Sequence, residues 1–241
     1  MRDGNGLYTD IHSHVIWGVD DGASSEEETR QMLQEAAADG IDRIICTPHI
    51  TPGVYEFPEE TFEEHFREAE AYIEQEKLGI QLERGGEILY TDFTPRMIRE
   101  GKVPTLAGSR YLLVEFSPTD TKKHIFDAVQ KIAGTGLIPV IAHMERYPAI
   151  KTTEDAKELK KHFHALIQIN ARSLTRKQPL FRRKFFDALF QEGICDFIAT
   201  DTHSMEGRGT CMTAGMTAVK EKYGEEEARR LAEAAGKIWE R

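Results

Sequence analysis

Residues 9–23 read TDIHSHVIWGVDDGA and hold two histidines and three aspartates in fifteen positions. On a strand, residues two apart point to the same side, so His12 and His14 can face one cavity together. The segment ATDTH repeats the arrangement with Asp201 and His203. Imidazole with carboxylate suits zinc, manganese or iron. Ligand-type residues also end other apolar runs: His49 in ICTPH, Glu87 in GGEIL, Glu115 in LLVEF, and His143 in VIAH. The cysteines, Cys46, Cys195 and Cys211, are scattered, which argues against a closed structural zinc site. Clustered carboxylates such as Asp21, Glu87, Glu115 and Asp201 repel one another unless cations lie between them. That many ligands points to more than one ion, a common device for phosphoester hydrolysis. Taken singly, each residue has a plainer reading. A strand-end histidine is usually a satisfied hydrogen-bonding group, Glu115 could pair with a buried arginine, and DDG is good turn chemistry. Those readings do not account for the joint pattern.

Positioning these residues requires strands that end side by side. Strand candidates are 7–14, 42–49, 80–89, 110–116, 137–145, 165–171 and 195–203, with amphipathic stretches between them. SSEEETRQMLQEAAADG starts with a serine cap and an acidic first turn. PEETFEEHFREAEAYIEQEKLG places Phe62, Phe66, Ala69 and Ile73 on one stripe. The tail from Thr210 reads as helical. Strands alternating with helices predict an α/β fold with a mainly parallel sheet. A closed TIM-like barrel of about seven βα units is the first expectation, because barrels carry their reactive residues at the C-terminal ends of strands. An open doubly wound sheet comes second, weakened by the lack of a glycine-rich dinucleotide fingerprint after the first strand. In the tally of strand ends the sixth run offers Asn170 rather than a charged ligand.

The 241 residues, 40% hydrophobic and 30% charged, fit a single domain, residues 1–241, with no linker-like segment. A net charge of −10 argues against a general nucleic-acid binder. No apolar run approaches the length of a membrane span, and MRDGNGLYTD has no signal-peptide core, so the expected location is cytoplasmic without membrane insertion. Residues 56–76 are rich in Glu. Residues 157–184 hold Lys157, Lys160, Lys161, Arg172, Arg176, Arg182, Arg183 and Lys184. Both runs are read first as solvated helix faces. His65, His124, His162 and His164 lie on or beside helical stretches and are expected at the surface. Cys46 and Cys195 are expected as core thiols.

In their order, DIHSH, GVDDGA, ICTPH, GGEI, VEF, IAHMERY and ATDTH resemble the polymerase-and-histidinol-phosphatase (PHP) superfamily. Within it the chain is most similar to the bacterial protein-tyrosine phosphatases of the CpsB and YwqE type, which regulate capsular polysaccharide. The resemblance implies a distorted (β/α)7 barrel and a site for three divalent ions, manganese above all, with iron or zinc as alternatives. It implies one ion on His12, His14, Glu87 and Asp201. A second would lie on Glu87, Glu115 and His143, and a third on Asp21, His49 and His203. Arg146 and Arg208 match arginines that assist phosphate binding and catalysis. Asp201 or a nearby histidine is a candidate proton donor to the leaving group. Met144 stands where the family commonly has proline.

The implied reaction is attack of metal-activated hydroxide on phosphotyrosine, with no phosphoenzyme. The implied substrate is the C-terminal tail of a tyrosine kinase that controls exopolysaccharide synthesis. A cysteine nucleophile would need Arg six positions on, where Pro52, Asp201 and Thr217 stand instead. The basic stretch 172–184, Arg172 in particular, is a candidate for docking an acidic tail. Rival readings are another PHP phosphoesterase, acting on histidinol phosphate or a small phosphodiester, and a non-catalytic phosphopeptide-binding protein. The oligomeric state stays open.

Overall fold

The computed structural model describes residues 7–176 and 180–239, with the side chains of 180–182 excluded. Part of the basic stretch, including the Arg182 side chain, therefore lies outside the described residues. In chain order the elements are β1 (Tyr8–Ser13), α1 (Glu26–Ala38), β2 (Ile41–Cys46), β3 (His49–Ile50), α2 (Glu59–Glu76), β4 (Gln81–Arg84) and β5 (Glu87–Leu89). Next come α3 (Thr94–Arg99), β6 (Tyr111–Glu115), α4 (Lys122–Ala133), β7 (Ile138–Ile141), α5 (Thr153–Phe163) and β8 (Leu166–Asn170). The chain continues with α6 (Ala171–Thr175), α7 (Leu180–Gln191), β9 (Phe197–Ala199), α8 (Met212–Tyr223) and α9 (Glu225–Trp239).

Every strand pairing among the described residues is parallel, in the orders β1-β2-β4 and β3-β5-β6-β7-β8-β9. Two of the strands expected from sequence are interrupted. The first breaks at Thr47–Pro48, where proline supplies no N–H. The other breaks at Gly85–Gly86. The ladder continues across both gaps, because Gly85 N donates to Cys46 O and Glu87 N to Pro48 O, at 2.9 and 3.0 Å. A side chain at Gly85 would put Cβ 2.8 Å from Ile45, so glycine is required by close approach. At the far end of the sheet, Asp201 N donates to His12 O and His14 N to Thr202 O. The chain after β9 thus meets the end of β1.

Alternation along the strands separates two apolar clusters. Leu112 and Val114, Ile141, Ile167 and Ile169, and Ile198 pack on the helix side. Ile11, Ile45, Leu113, Val140, Phe197 and Ala199 form the smaller cluster, capped by Ala235 and Ile238 of α9. The helices follow their sequence signals. Ser25 caps α1 by accepting from Glu28 N, and Thr152 with Asp155 forms a capping box on α5. Phe62, Phe66, Ala69 and Ile73 are the buried residues of α2. The helical tail divides into α8 and α9 at Gly224. Two short helices, α3 and α6, were not expected, being too short for a periodic signal.

Cys46 and Cys195 are buried in the core. The surface expectation for the four helix-side histidines holds for His162 and His164, which are exposed. His65 is half-buried. It stacks on Trp17 with ring centroids 3.8 Å apart, and its Nδ1 lies 2.9 Å from Trp17 O. His124 is also half-buried and packs edge-on against Tyr90.

Candidate metal centre

Side chains of a strand that point into the smaller cluster emerge, two residues later, at its C-terminal mouth. Leu113 leads in this way to Glu115, and Ala199 to Asp201. Simple alternation would send His143 to the helix side, since Ala142 faces the cluster. Its backbone instead adopts φ 31°, in the left-handed region, which re-aims the ring. Asp201 has φ 53°. Such conformations cost about 1–3 kcal/mol each outside glycine and concentrate at functional sites. His12 is turned by another device, a register irregularity of β1 between Asp10 and Ser13.

Three groups result, each with ligand atoms within 4.8 Å of one another. The first is His12, His14, Glu87 and Asp201. His12 Nε2 lies 3.1 Å from Glu87 Oε2 and 3.5 Å from Asp201 Oδ1, and His14 Nε2 lies 3.3 Å from Glu87 Oε2. The second is His49, Glu87 and Glu115, with His49 Nδ1 3.1 Å from both carboxylates. His143 adjoins this group, its Nε2 2.8 Å from Glu87 Oε1 and 3.7 Å from Glu115 Oε2. The third is His14, Asp21, His49 and His203. Here Asp21 Oδ1 lies 3.3 Å from His49 Nε2 and 3.4 Å from His203 Nε2. All nine ligand candidates from the sequence meet at this mouth. His14 and His49 each lie in two groups, a sharing that the sequence did not indicate.

The donor set fits divalent cations. Glu87 Oε2 and His203 Nε2 are buried without a well-aligned hydrogen bond among the described residues, although three imidazole nitrogens lie within 3.3 Å of Glu87 Oε2. His12 Nε2 and His14 Nε2 face each other at 3.2 Å, where two lone pairs need a proton or a cation between them. Although burial opposes charge on His12, Glu87 and Asp201 push its pKa up to about 10. Burial likewise opposes charge on His49, yet Glu115 and Glu87 raise it to about 9. Glu87 resists its own burial because His12, His14 and His143 hold its carboxyl well below the usual range. Burial and the neighbouring His14 push the pKa of His203 down to about 3, in the direction of the neutral imidazole that binds metal.

A further layer orients the candidates. Asp20 Oδ2 lies 2.7 Å from His14 Nδ1 and accepts from His49 N at 2.9 Å. Gln168 Oε1 lies 3.2 Å from His12 Nδ1 and accepts from His143 N. Asn170 Nδ2 donates to Asp201 Oδ2 at 2.7 Å. The Tyr147 hydroxyl lies 3.3 Å from His143 Nδ1. Buried Asp10 accepts from Thr200 and from His12 N. The loop after β1 folds back tightly at Gly22, where a Cβ would lie 2.4 Å from His14 O. Gln168 and Tyr147 escaped the sequence reading. Gln168 and Asn170, two apart in the apolar run ALIQINA, were the available signal.

Arg146 and Arg208 both reach Asp201, with Arg146 Nη2 2.7 Å from Oδ2 and Arg208 Nη2 3.1 Å from Oδ1. Burial works against the ionised form of Asp201, but His12 and Arg146 hold its pKa well below the usual carboxylate range. Two cavities open here. One, of about 320 Å³, adjoins Asp21 and His49 and is walled by Val19, Ile50, Tyr55 and Phe57. The other, of about 160 Å³, holds Arg146, Arg172, Arg176 and Arg208 beside Asn170 and Asp201.

A parallel α/β fold with clustered imidazoles and carboxylates at its strand ends defines a metal-site protein with arginines at the mouth. The chain belongs to the CpsB/CapC family of capsular polysaccharide synthesis, whose model matches residues 8–238. It is 30% identical over 227 residues to the tyrosine-protein phosphatase CpsB of Streptococcus pneumoniae, covering 92% of this chain and 93% of the relative. It is 32% identical over 199 residues to the putative tyrosine-protein phosphatase CapC of Staphylococcus aureus, covering 83% and 78%. Among solved structures it superimposes with TM-score 0.86 and 24% identity on a chain from the crystal structures of YwqE (Bacillus subtilis) and CpsB (Streptococcus pneumoniae). That match covers 96% of this chain and 94% of the other, and those proteins are described as metal-dependent tyrosine phosphatases. No helix among the described residues is long and apolar enough to cross a membrane.

Proposed function

We propose that this chain is a metal-dependent protein-tyrosine phosphatase acting on the phosphorylated C-terminal tail of a bacterial tyrosine kinase that controls exopolysaccharide synthesis. We assign it a cytoplasmic location and a single domain of the distorted (β/α)7 type. That count treats β2 with β3, and β4 with β5, as one strand each. One observation carries the reading: three ligand groups share His14, His49 and Glu87, and both arginines converge on Asp201, a member of the first group.

His12, His14, Glu87 and Asp201 would hold one ion. Glu87, Glu115 and His143 would hold a second beside His49, and Asp21, His49 and His203 a third beside His14. Manganese is the assigned ion. Divalent ions supply Lewis acidity at the phosphoryl oxygens and a lowered pKa for water. Arg146 and Arg208 bind the same oxygens and offset charge that develops there. The depressed pKa of Asp201 favours its role as an ionised ligand and arginine partner over proton donation. The cavity beside Asp21 and His49 has the apolar walls that an aryl leaving group requires, and Tyr55 at its edge is 76% exposed.

The test is turnover of a phosphotyrosine peptide before and after stripping with a strong chelator. Activity should disappear with the metal and return with Mn²⁺. Full activity in metal-stripped protein would refute the proposal. Histidinol phosphate and a cyclic dinucleotide, assayed alongside, should be poorer substrates.

A further inference from the structure

The cavity of about 160 Å³ contains more cationic groups than one phosphoryl group uses. Four guanidinium groups, those of Arg146, Arg172, Arg176 and Arg208, line it with a single carboxylate, Asp201. Arg146 and Arg208 pair with Asp201, and Arg208 Nη1 lies 3.9 Å from Asp21. Arg172 donates to Gly209 O at 2.6 Å, a neutral acceptor. No ion pair joins Arg172 or Arg176 to a carboxylate among the described residues. Arg172 belongs to α6, and Arg176, an exposed residue, follows that helix directly.

Clustered guanidinium groups repel one another and do not serve stability, so an excess beside a reaction centre needs an anion to balance it. A phosphate monoester on Arg146 and Arg208 leaves Arg172 and Arg176 unmatched. We infer that Arg172 and Arg176 form a subsite for a second negative group on the substrate, an acidic side chain flanking the phosphotyrosine. The guanidinium fork suits carboxylate, which it binds with two parallel hydrogen bonds. Arg172 also tethers Gly209 next to Arg208, so it serves the loop as well as the ligand. Arg176 makes no such backbone contact among the described residues and is the cleaner probe. The inference rests on the phosphatase reading above and adds a sequence preference to it.

The experiment uses peptides in which a non-hydrolysable phosphonate replaces the phosphate of phosphotyrosine, with Glu or Gln as its neighbours. Dissociation constants are measured by fluorescence anisotropy on the full chain loaded with Mn²⁺. Native protein should bind the Glu peptide about 3–10 times more tightly, the modest factor expected of partly exposed charges. Arg176→Gln should bring the ratio close to one, and Arg176→Glu should invert it, with both variants melting like the native protein. A native ratio of one overturns the inference, as does a ratio that neither substitution changes. A parallel assay of a small aryl phosphate separates the two claims. Turnover without peptide discrimination removes only the subsite, whereas no turnover of any aryl ester removes the phosphatase reading and the subsite with it.

Discussion

His12, His14, Glu87 and Asp201, at the floor of the site, are at most 4% exposed, whereas the Asp21 side chain at its rim is 66% exposed. The two regions are built differently. Each floor residue is held from outside the ligand groups or by several members within them: His12 by Gln168, His14 by Asp20, Asp201 by Asn170, and Glu87 by the surrounding rings. Among the described residues, the Asp21 side chain meets only ring nitrogens and Arg208. Buried charges are tolerated only when paired, so the floor must be complete and rigid to exist at all. The rim is under no such demand. It is free to accept a substrate, and its arginines are 39–46% exposed where they meet buried Asp201.

The largest effect should follow from breaking the floor. Glu87→Gln removes a carboxylate common to two of the three ligand groups. It should lower the number of ions bound, measured by metal analysis, and reduce kcat about a thousandfold or more. A variant that keeps its full metal content would erase the distinction between floor and rim. Removing a rim cation should cost less and leave the metal in place. Arg146→Ala is expected to lower kcat/KM about 100- to 1,000-fold at unchanged metal content, the range for loss of one charge-stabilising donor. Loss of metal in that variant would show that Arg146 supports Asp201 rather than substrate.

Asp20→Asn tests the layer behind the floor. With the carboxylate gone, His14 loses its fixed orientation, and metal affinity should fall about 10- to 100-fold, read by competition with a metal indicator. An unchanged affinity would mean that burial alone holds the ring. The smallest effect belongs to Cys46→Ala, whose side chain packs in the helix-side core rather than among the ligand groups. Its urea midpoint should show a loss of about 1 kcal/mol while the phosphatase rate stays the same. A collapse of the rate would bring cysteine chemistry back into question.

Much of this organisation could be read from residue types alone. Two-residue spacing announced that His12 and His14 act together, and the stripe of Phe62, Phe66, Ala69 and Ile73 announced the buried face of α2. Strand ends carrying His49, Glu87, Glu115, His143, Asp201 and His203 announced the mouth of the fold. These signals are local, since they depend on strand and helix periodicity within a few residues of one chain segment. The same local logic misplaced His65, which looks like a surface residue of α2 until Trp17, 48 positions away, stacks on it.

Other features depend on contacts between distant segments. The sharing of His14 and His49 between ligand groups follows from how far each strand end projects, a consequence of bulges, breaks and register. Alternation by itself would have turned His143 away from the site, and a left-handed backbone turns it in. Gln168 became visible as a partner of His12 across 156 positions. The gathering of Arg172 and Arg176 with Arg146 and Arg208 joins three separate segments of the chain. Residue types and periodicity therefore marked the candidate groups and, His143 apart, the face of the element on which they lie. Which of them gather into one ligand group, and which arginines share a cavity, came from packing, because distances across the mouth are set by the ladder and by backbone strain rather than by spacing along the chain.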